Sequence, residues 1–396
     1  MTLINERSLR GKVAIVGIGE TPYYKYGQSP DPEFKLALKA ILAACQDAGI
    51  DPKDIDGFSS YADDRNEATR LASALGIKEL RSATMQWGGG GGGVCAAVAN
   101  GAAAIHAGMA ECVVVFRALS QGEYGRFGNT SGVETISGEK SYLMPYGVLA
   151  PPQRFAMRVM RFMHENNITQ ESMRSIALAS YHHAQTNPNA VMYGKPLDEE
   201  KYDQSRWIAE PFKLFDCCME NDGAAAVILM SSEKAKELSN KPAYILGAAS
   251  GSGFRAGAHP HNAPDYATAN YKTLAPRLYE MAKIAPKDVG TVQCYENFTG
   301  GVLMALIEHS LVNLEDANNF FKKENLIAPN GALPLNTSGG NLAECYMHGF
   351  ELIIEAVRQV RGTAINQAKR SDINLVIGGP MVSPASNLLI ASGKVL

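Results

Sequence analysis

Gly49-Ile-Asp-Pro-Lys-Asp54 and, far down the same chain, Lys283-Ile-Ala-Pro-Lys-Asp288 are two versions of one segment. Each follows an amphipathic helical stretch. Each leads into an apolar run that ends in a tyrosine, Tyr61 or Tyr295. Upstream of the first copy, Lys12–Gly19 (KVAIVGIG) is a short β-branched run ending in glycines, the mark of a buried strand. The helix after it has Asp31 as a cap, Pro32 at its first position and Gly49 past its end. Phe34, Leu38, Ile41, Cys45 and Ala48 give that helix one apolar stripe.

Downstream, a strand is expected near Ile55–Tyr61. The run Gly88–Gly93 then opens a helix from Val94 to about Ala107, stopped by Gly108, and a strand follows over Cys112–Phe116. In the second copy Gly339–Gly340 opens a helix that ends at Gly362, and the strand Asn374–Gly378 follows. Further strands are expected at Gly223–Met230 and Tyr244–Gly247. Strand-helix-strand alternation predicts a mostly parallel sheet. The economical reading is a duplicated α/β half: residues 1–238, carrying a Tyr-, Gly-, Pro- and Asn-rich insertion over about 117–210, and residues 239–396.

The composition agrees with a folded α/β protein. Of 396 residues, 46% are apolar and 19% charged. The net charge of −3, from 37 basic and 40 acidic side chains, argues against a nucleic-acid binder. Seven cysteines do not suggest a disulfide framework, and MTLINERSLRGK has no apolar leader core, so a reducing cytoplasm is expected. Ser82–Ala110 is uncharged and long enough to span a bilayer. It is built of Gly and Ala around Gln86, Asn100 and His106, so it reads as a loop entering a buried helix and not as a membrane span.

Several motifs fail on inspection. Gly17-Ile-Gly19 has Pro22 where a dinucleotide fingerprint needs its last glycine. Gly251-Ser-Gly253 is followed by no helix that would hold a pyrophosphate. Both read as turns. There is no P-loop lysine, no H-E-x-x-H, no paired C-x-x-C and no nucleophile elbow. His182-His183 reads as structural. No metal site and no bound cofactor is expected.

Three segments together resemble the thiolase family, in its sterol-carrier and lipid-transfer-protein branch: Leu214-Phe-Asp-Cys-Cys218, Asp222-Gly-Ala-Ala-Ala226 and His183-Ala-Gln-Thr-Asn-Pro188. The resemblance covers nearly the whole chain and implies the thiolase fold, two α/β halves in a five-layered αβαβα sandwich. The catalytic positions depart from the family. Counting back from Gly108 puts the nucleophilic cysteine's slot at Gly91, inside WGGGGGGVC, with Cys95 one turn further into the helix. Asn336-Thr-Ser-Gly-Gly340 matches the family's N-x-x-G-G, but the histidine that should follow is Tyr346, and His348 is expected to point elsewhere. The family's Asn-Glu-Ala-Phe or His-Asp-Cys-Phe motif reads Tyr295-Glu-Asn-Phe298. The last family cysteine falls near Val376, before Gly378-Gly379.

A glycine carries no nucleophile, so acyl-enzyme chemistry is unavailable at Gly91. Two tyrosines in place of two catalytic polar residues suit proton transfer at an alkoxide or enolate. The pattern is similar to the thiolase-like aldolases of bacterial steroid side-chain degradation. That resemblance implies retro-aldol cleavage of a 17-hydroxy steroid C3-side-chain CoA thioester to a 17-ketosteroid and propionyl-CoA. It implies Tyr295 and Tyr346 as base and acid in an order left open, and the N–H groups of Gly91 and Gly378 as an oxyanion hole. CoA enters as part of the substrate. A homodimer is implied, joined by an OB-fold partner of the domain of unknown function 35 family, which carries a zinc ribbon in some members, giving a heterotetramer. The alternatives are a non-catalytic acyl-CoA or lipid carrier, or a Claisen-type thiolase using a displaced cysteine, Cys95, Cys294 or Cys345.

Overall fold

The computed structural model describes residues 8–125, 141–238, 241–256 and 265–396. The strands that matter are β1 (Val13–Glu20), β2 (Gly57–Tyr61), β3 (Ser82–Gln86), β4 (Cys112–Ser120), β5 (Asn221–Ser231), β6 (Ala243–Gly251), β7 (Thr291–Cys294), β8 (Ile373–Gly378) and β9 (Ala385–Ala391). The helices are α1 (Glu33–Ala48), α2 (Val94–His106), α3 (Pro151–Asn166), α4 (Gln170–Ala184), α5 (Leu274–Ala282), α6 (Thr299–Glu308) and α7 (Phe350–Arg361).

The strands follow one hydrogen-bonded path, β7-β8-β9-β6-β1-β5-β4-β2-β3, with Tyr24–Lys25 pairing beside β5. The path contains the same unit twice. β2 runs parallel to β4, β4 antiparallel to β5, and β5 antiparallel to β1. β7 runs parallel to β8, β8 antiparallel to β9, and β9 antiparallel to β6. The two units meet where β1 pairs β6 over Ala14↔Tyr244 and Ile15↔Ala243. β3 adds a parallel strand to the first unit, and a bridge between Val292 and Leu335 stands in its place in the second. Both Pro-Lys-Asp segments form a 3-10 turn, Pro52–Asp54 and Pro286–Asp288.

Side-chain alternation sorts the layers. On β4, Cys112, Val114, Phe116 and Ala118 join the core beneath α1, while Val113, Val115 and Leu119 join a central core. That central core takes residues from β1, β5, β6, β8 and β9 together with Val94–Val98 of α2 and Phe350–Val357 of α7. A third core lies beyond β8 and β9, under α5 and α6, with α3 and α4 packed on it. The order is outer helices, sheet, α2 and α7, sheet, outer helices: a five-layered α/β sandwich. Among the described residues no helix is long and apolar enough to cross a membrane.

Several expectations need correcting. The sheet is mixed, with most pairings antiparallel. Six residues join β8 to β9, too few for a crossover helix, so the chain must turn back on itself. Gly17 and Gly19 are not turn residues. They lie in β1, where a Cβ would collide with the Ala44 backbone, so they let α1 lie directly on the strand. The first helix is capped by Pro32 and begins at Glu33. Asp31 instead pairs with Lys35 at 2.6 Å and with Lys39. Ser82–Gln86, expected as loop, is a strand because its backbone pairs with β2. Gly339–Gly340 opens only the single turn Gly340–Ala343, and the long helix waits until Gly349. His348 and Gly349 sit at φ of 57° and 88°, a left-handed pair that no helix continues through.

Candidate active site

Tyr295 continues β7, its N–H bonded to the Ile377 carbonyl at 2.8 Å. Tyr346 lies in the turn between Ala343 and Gly349, where its N–H is held by the Asn221 side chain of β5 at 2.9 Å. Asn221 is in turn anchored to the Tyr24 carbonyl at 3.0 Å. These anchors bring the two hydroxyls together at 2.7 Å, with either able to donate. The rings cross edge to face, their centroids 6.0 Å apart. They are 3% and 7% exposed. Burial pushes both phenols upward, and each also feels its surroundings: Tyr295 its partner tyrosine and Cys218, Tyr346 the same cysteine.

Gly91 stands against this pair. A Cβ built there would clash with the Tyr295 ring, 2.3 Å from Cε2, 2.4 Å from Cζ and 2.6 Å from the hydroxyl oxygen. The slot counted as the nucleophile's is therefore filled by a phenol from the other half. Gly378 is its neighbour: a Cβ there would lie 3.2 Å from the Gly91 carbonyl. The Gly378 carbonyl accepts from Tyr271, and its backbone also hydrogen-bonds the Cys95 sulfur.

None of the three candidate cysteines reaches the pair as a nucleophile. Cys95, Cys294 and Cys345 are fully buried, and burial raises each thiol well above its usual range. Cys95 points at the Val376 carbonyl, and Cys294 joins the outer core on the opposite side from Tyr295. Thiolate is the nucleophilic form, and burial disfavours it at all three sulfurs. Among the described residues no three His, Cys, Asp or Glu side chains converge as a metal set.

Comparison with known proteins shows the family. Residues 254–391 match the family model "Thiolase C-terminal domain-like". A "Steroid side-chain-cleaving aldolase" from Thermomonospora curvata is 37% identical over 98% of this chain and 99% of its own. The "17-hydroxy-3-oxo-4-pregnene-20-carboxyl-CoA lyase" of Mycobacterium tuberculosis is 36% identical over 96% and 100%. The chain belongs to the thiolase-like aldolases. The solved structure "Ltp2-ChsH2(DUF35) aldolase" superposes with a TM-score of 0.89 at 36% identity, covering 98% and 99% of the two chains. Human mitochondrial 3-ketoacyl-CoA thiolase, at 18% identity and a TM-score of 0.68, shares the fold.

Within this thiolase-like aldolase the site includes groups that sequence reasoning missed or misplaced. His348 does not point away. Its buried ring stands 5.8 Å from that of Tyr346, 6.3 Å from Tyr295 and 5.6 Å from Tyr61. Burial, together with the Arg117 cation, holds it neutral, far below the usual imidazole range. The left-handed turn at His348, invisible in residue spacing, aims it inward. Tyr61 donates to the His348 carbonyl at 2.9 Å, so it braces the turn that carries Tyr346.

Arg117 is 1% exposed and pairs with Asp64 at 3.3 Å. Its signal was available: one arginine inside the apolar strand CVVVFRALS. Glu296, directly after Tyr295, is fully buried and takes hydrogen bonds from Ser180 at 3.1 Å, Leu342 N–H at 3.2 Å and Asn336. Burial nonetheless pushes its carboxyl up to about 8. It locks the Asn336 loop under the site. His183 bonds the Asn336 carbonyl and accepts from the Ala328 N–H, a structural role.

Proposed function

We propose that this chain is a carbon–carbon lyase that performs retro-aldol cleavage of a β-hydroxyacyl-CoA. The observation that carries the proposal is the 2.7 Å contact between Tyr295 and Tyr346, set where a Cβ at Gly91 would stand. The names of the relatives supply the substrate class. The substrate is a 17-hydroxy steroid with a three-carbon side chain bound as a CoA thioester, and the products are a 17-ketosteroid and propionyl-CoA.

One tyrosine, as phenolate, takes the proton of the β-hydroxyl. The Cα–Cβ bond breaks as the ketone forms, and its electrons pass into the thioester enolate. The other tyrosine gives its proton to Cα. A proton then crosses the hydroxyl contact and restores one phenol and one phenolate. The cycle needs no free CoA and no outside proton. The Gly91 N–H is proposed to face the enolate oxygen; the Gly378 N–H, expected to join it, is directed at the Cys95 sulfur. The side-chain amides and carboxyls beneath the pair hold the Tyr346 turn and do not join the chemistry.

The proposal extends to assembly. The chain acts as a homodimer in the cytoplasm, with a partner of the domain of unknown function 35 family completing a heterotetramer. The partner named with the superposable structure supports the second protein of the assembly.

The test incubates the chain, together with a partner of that family, with a β-hydroxyacyl-CoA and no added CoA. Release of ketone and the shortened acyl-CoA is expected, with no acylated cysteine found by mass spectrometry after quenching. Strict dependence on free CoA, or an acyl adduct on Cys95, Cys294 or Cys345 during turnover, would overturn the retro-aldol reading in favour of a thiolase.

A further inference from the structure

A retro-aldol cycle run by buried tyrosines has an electrostatic difficulty. One phenol must spend part of each turnover as a phenolate, and a buried anion without a cation nearby is costly. The pair itself supplies no cation. Among the described residues, the groups that face it include Tyr61, His348, Cys218 and Glu351, together with Arg117. His348 is neutral, and burial raises Glu351 and Cys218 toward their protonated forms.

Arg117 is the fixed positive charge in this set. It lies on the central-core face of β4, on the same side as Val115 and Leu119. One guanidinium nitrogen donates to the Tyr61 carbonyl at 3.0 Å and to Asp64 at 3.3 Å. The guanidinium carbon is 5.4 Å from the centre of the Tyr61 ring. The Tyr61 ring is in contact with that of His348, and the His348 ring with those of Tyr346 and Tyr295. The Nε of Arg117 is buried and makes no hydrogen bond among the described residues. A core-building arginine would satisfy that donor, so its placement calls for another reason.

The acids around Arg117 do not cancel it at the tyrosines. Glu33, another carboxylate that Arg117 acts on, is taken by Arg65, Asn66 and the Ser120 N–H. Asp64 is a direct partner, but at the Tyr61 ring the pull of the guanidinium outweighs the push of the carboxylate, and the guanidinium also acts on Tyr346 and His348. The ion pair is thus a dipole with its positive end toward the rings.

We propose that Arg117 is a positioning residue for proton transfer: the Arg117–Asp64 pair presents a fixed positive end, across the Tyr61 and His348 rings, to the Tyr295–Tyr346 pair and stabilises its phenolate. The inference rests on the retro-aldol reading and adds a residue that touches neither substrate nor reacting atoms.

The test compares wild type, R117K and the double variant R117M/D64N, which removes both charges and leaves no unpaired one. All are assayed with the partner protein over a range of pH. The double variant should lose about tenfold or more in cleavage rate at neutral pH and regain it as pH rises, because the phenolate fraction grows tenfold per pH unit. KM should change less than kcat, and R117K should recover most of the neutral-pH rate. A second readout needs no turnover. The ultraviolet phenolate absorbance attributable to Tyr346, taken as the difference from Y346F in each background, should appear at higher pH in R117M/D64N.

A double variant within about twofold of wild type at neutral pH, or one slowed equally at every pH, overturns the role of Arg117. If the double variant does not fold, R117K decides. A wild-type pH profile supports the charge, and a loss that higher pH does not restore overturns it. Wild type that cleaves no β-hydroxyacyl-CoA overturns the retro-aldol reading, while the phenolate titration still decides whether Arg117 acts on the pair.

Discussion

Tyr61 and Tyr295 stand at equivalent places in the two halves, each at the end of a buried strand that a Pro-Lys-Asp turn leads into. Their hydroxyls meet different partners. Tyr61 is spent on a backbone carbonyl, that of His348, and its ring lies under Arg117. Tyr295 meets another hydroxyl, that of Tyr346. The residues that follow them differ as well: Ala62 in the first half, the buried acid Glu296 in the second. Duplication delivered two tyrosines to the central layer. Only in the second half does a turn bring another titratable hydroxyl within hydrogen-bond distance among the described residues.

The strongest way to break this comparison is to remove the hydroxyls one at a time. Y295F and Y346F keep the rings but end proton transfer, and each should lose roughly 10²- to 10⁴-fold in kcat. Near wild-type cleavage by both, with the partner present, would end the case for a functional pair.

The next test adds a side chain where the second-half tyrosine now lies. G91A, and equally G91C, forces Tyr295 off its position. A displacement of about 1 Å costs about 10²-fold in rate, and overpacking costs about 1–3 kcal/mol of stability. G91C should gain no thiolase activity. Acyl transfer to free CoA by G91C would show that the slot had kept its old chemistry.

Glu296 separates the halves by pH. Its folded value of about 8 lies above the ordinary value of 4.5, so the native state holds a proton that the unfolded chain releases. Its contribution is intact below about pH 4.5 and is lost as pH rises to about 8. The loss is on the order of a few kcal/mol. Chemical denaturation of E296Q across that range should show a flatter pH dependence than wild type. An unchanged slope would mean Glu296 is ionised in the fold.

The smallest effect is expected at Tyr61. Y61F loses one hydrogen bond, about 0.5–1.5 kcal/mol, and its cleavage rate should fall by about tenfold at most, since the bond only steadies the Tyr346 turn. A loss as large as that of Y295F would make the two halves functionally equivalent.

Much of this was legible in the residues themselves. The repeated Pro-Lys-Asp segment exposed the duplication because a turn of that kind is set locally, by the fixed φ of proline and the aspartate that follows. The β-branched runs marked the strands, and glycines past the last turn marked helix ends. The resemblance to the thiolases, counted back from Gly108, implied a glycine in the nucleophile's slot at Gly91, and the family motifs at Asn336–Gly340 and Tyr295–Phe298 implied Tyr346 and Tyr295 in place of catalytic residues. Strand direction could not be read so well. Alternation suggested a parallel sheet, and only the short β8–β9 connection and the long path to β5 made most pairings antiparallel.

What the chain alone determined was which side chains stand in the slots that the family resemblance points to: a glycine at 91 and tyrosines at 295 and 346. What the tertiary structure decided was contact. Gly91 has no room for a Cβ because a ring from the far half lies 2.3 Å from where it would stand, a fact with no local trace. His348 turns inward because a left-handed pair of residues precedes α7, and neither its identity nor its spacing encodes that turn. Arg117 looks like an oddity in an apolar strand until the fold sets its charge behind the Tyr61 and His348 rings. Local propensities act over a few residues, whereas an electric field and a steric overlap depend on distances that only the folded chain defines.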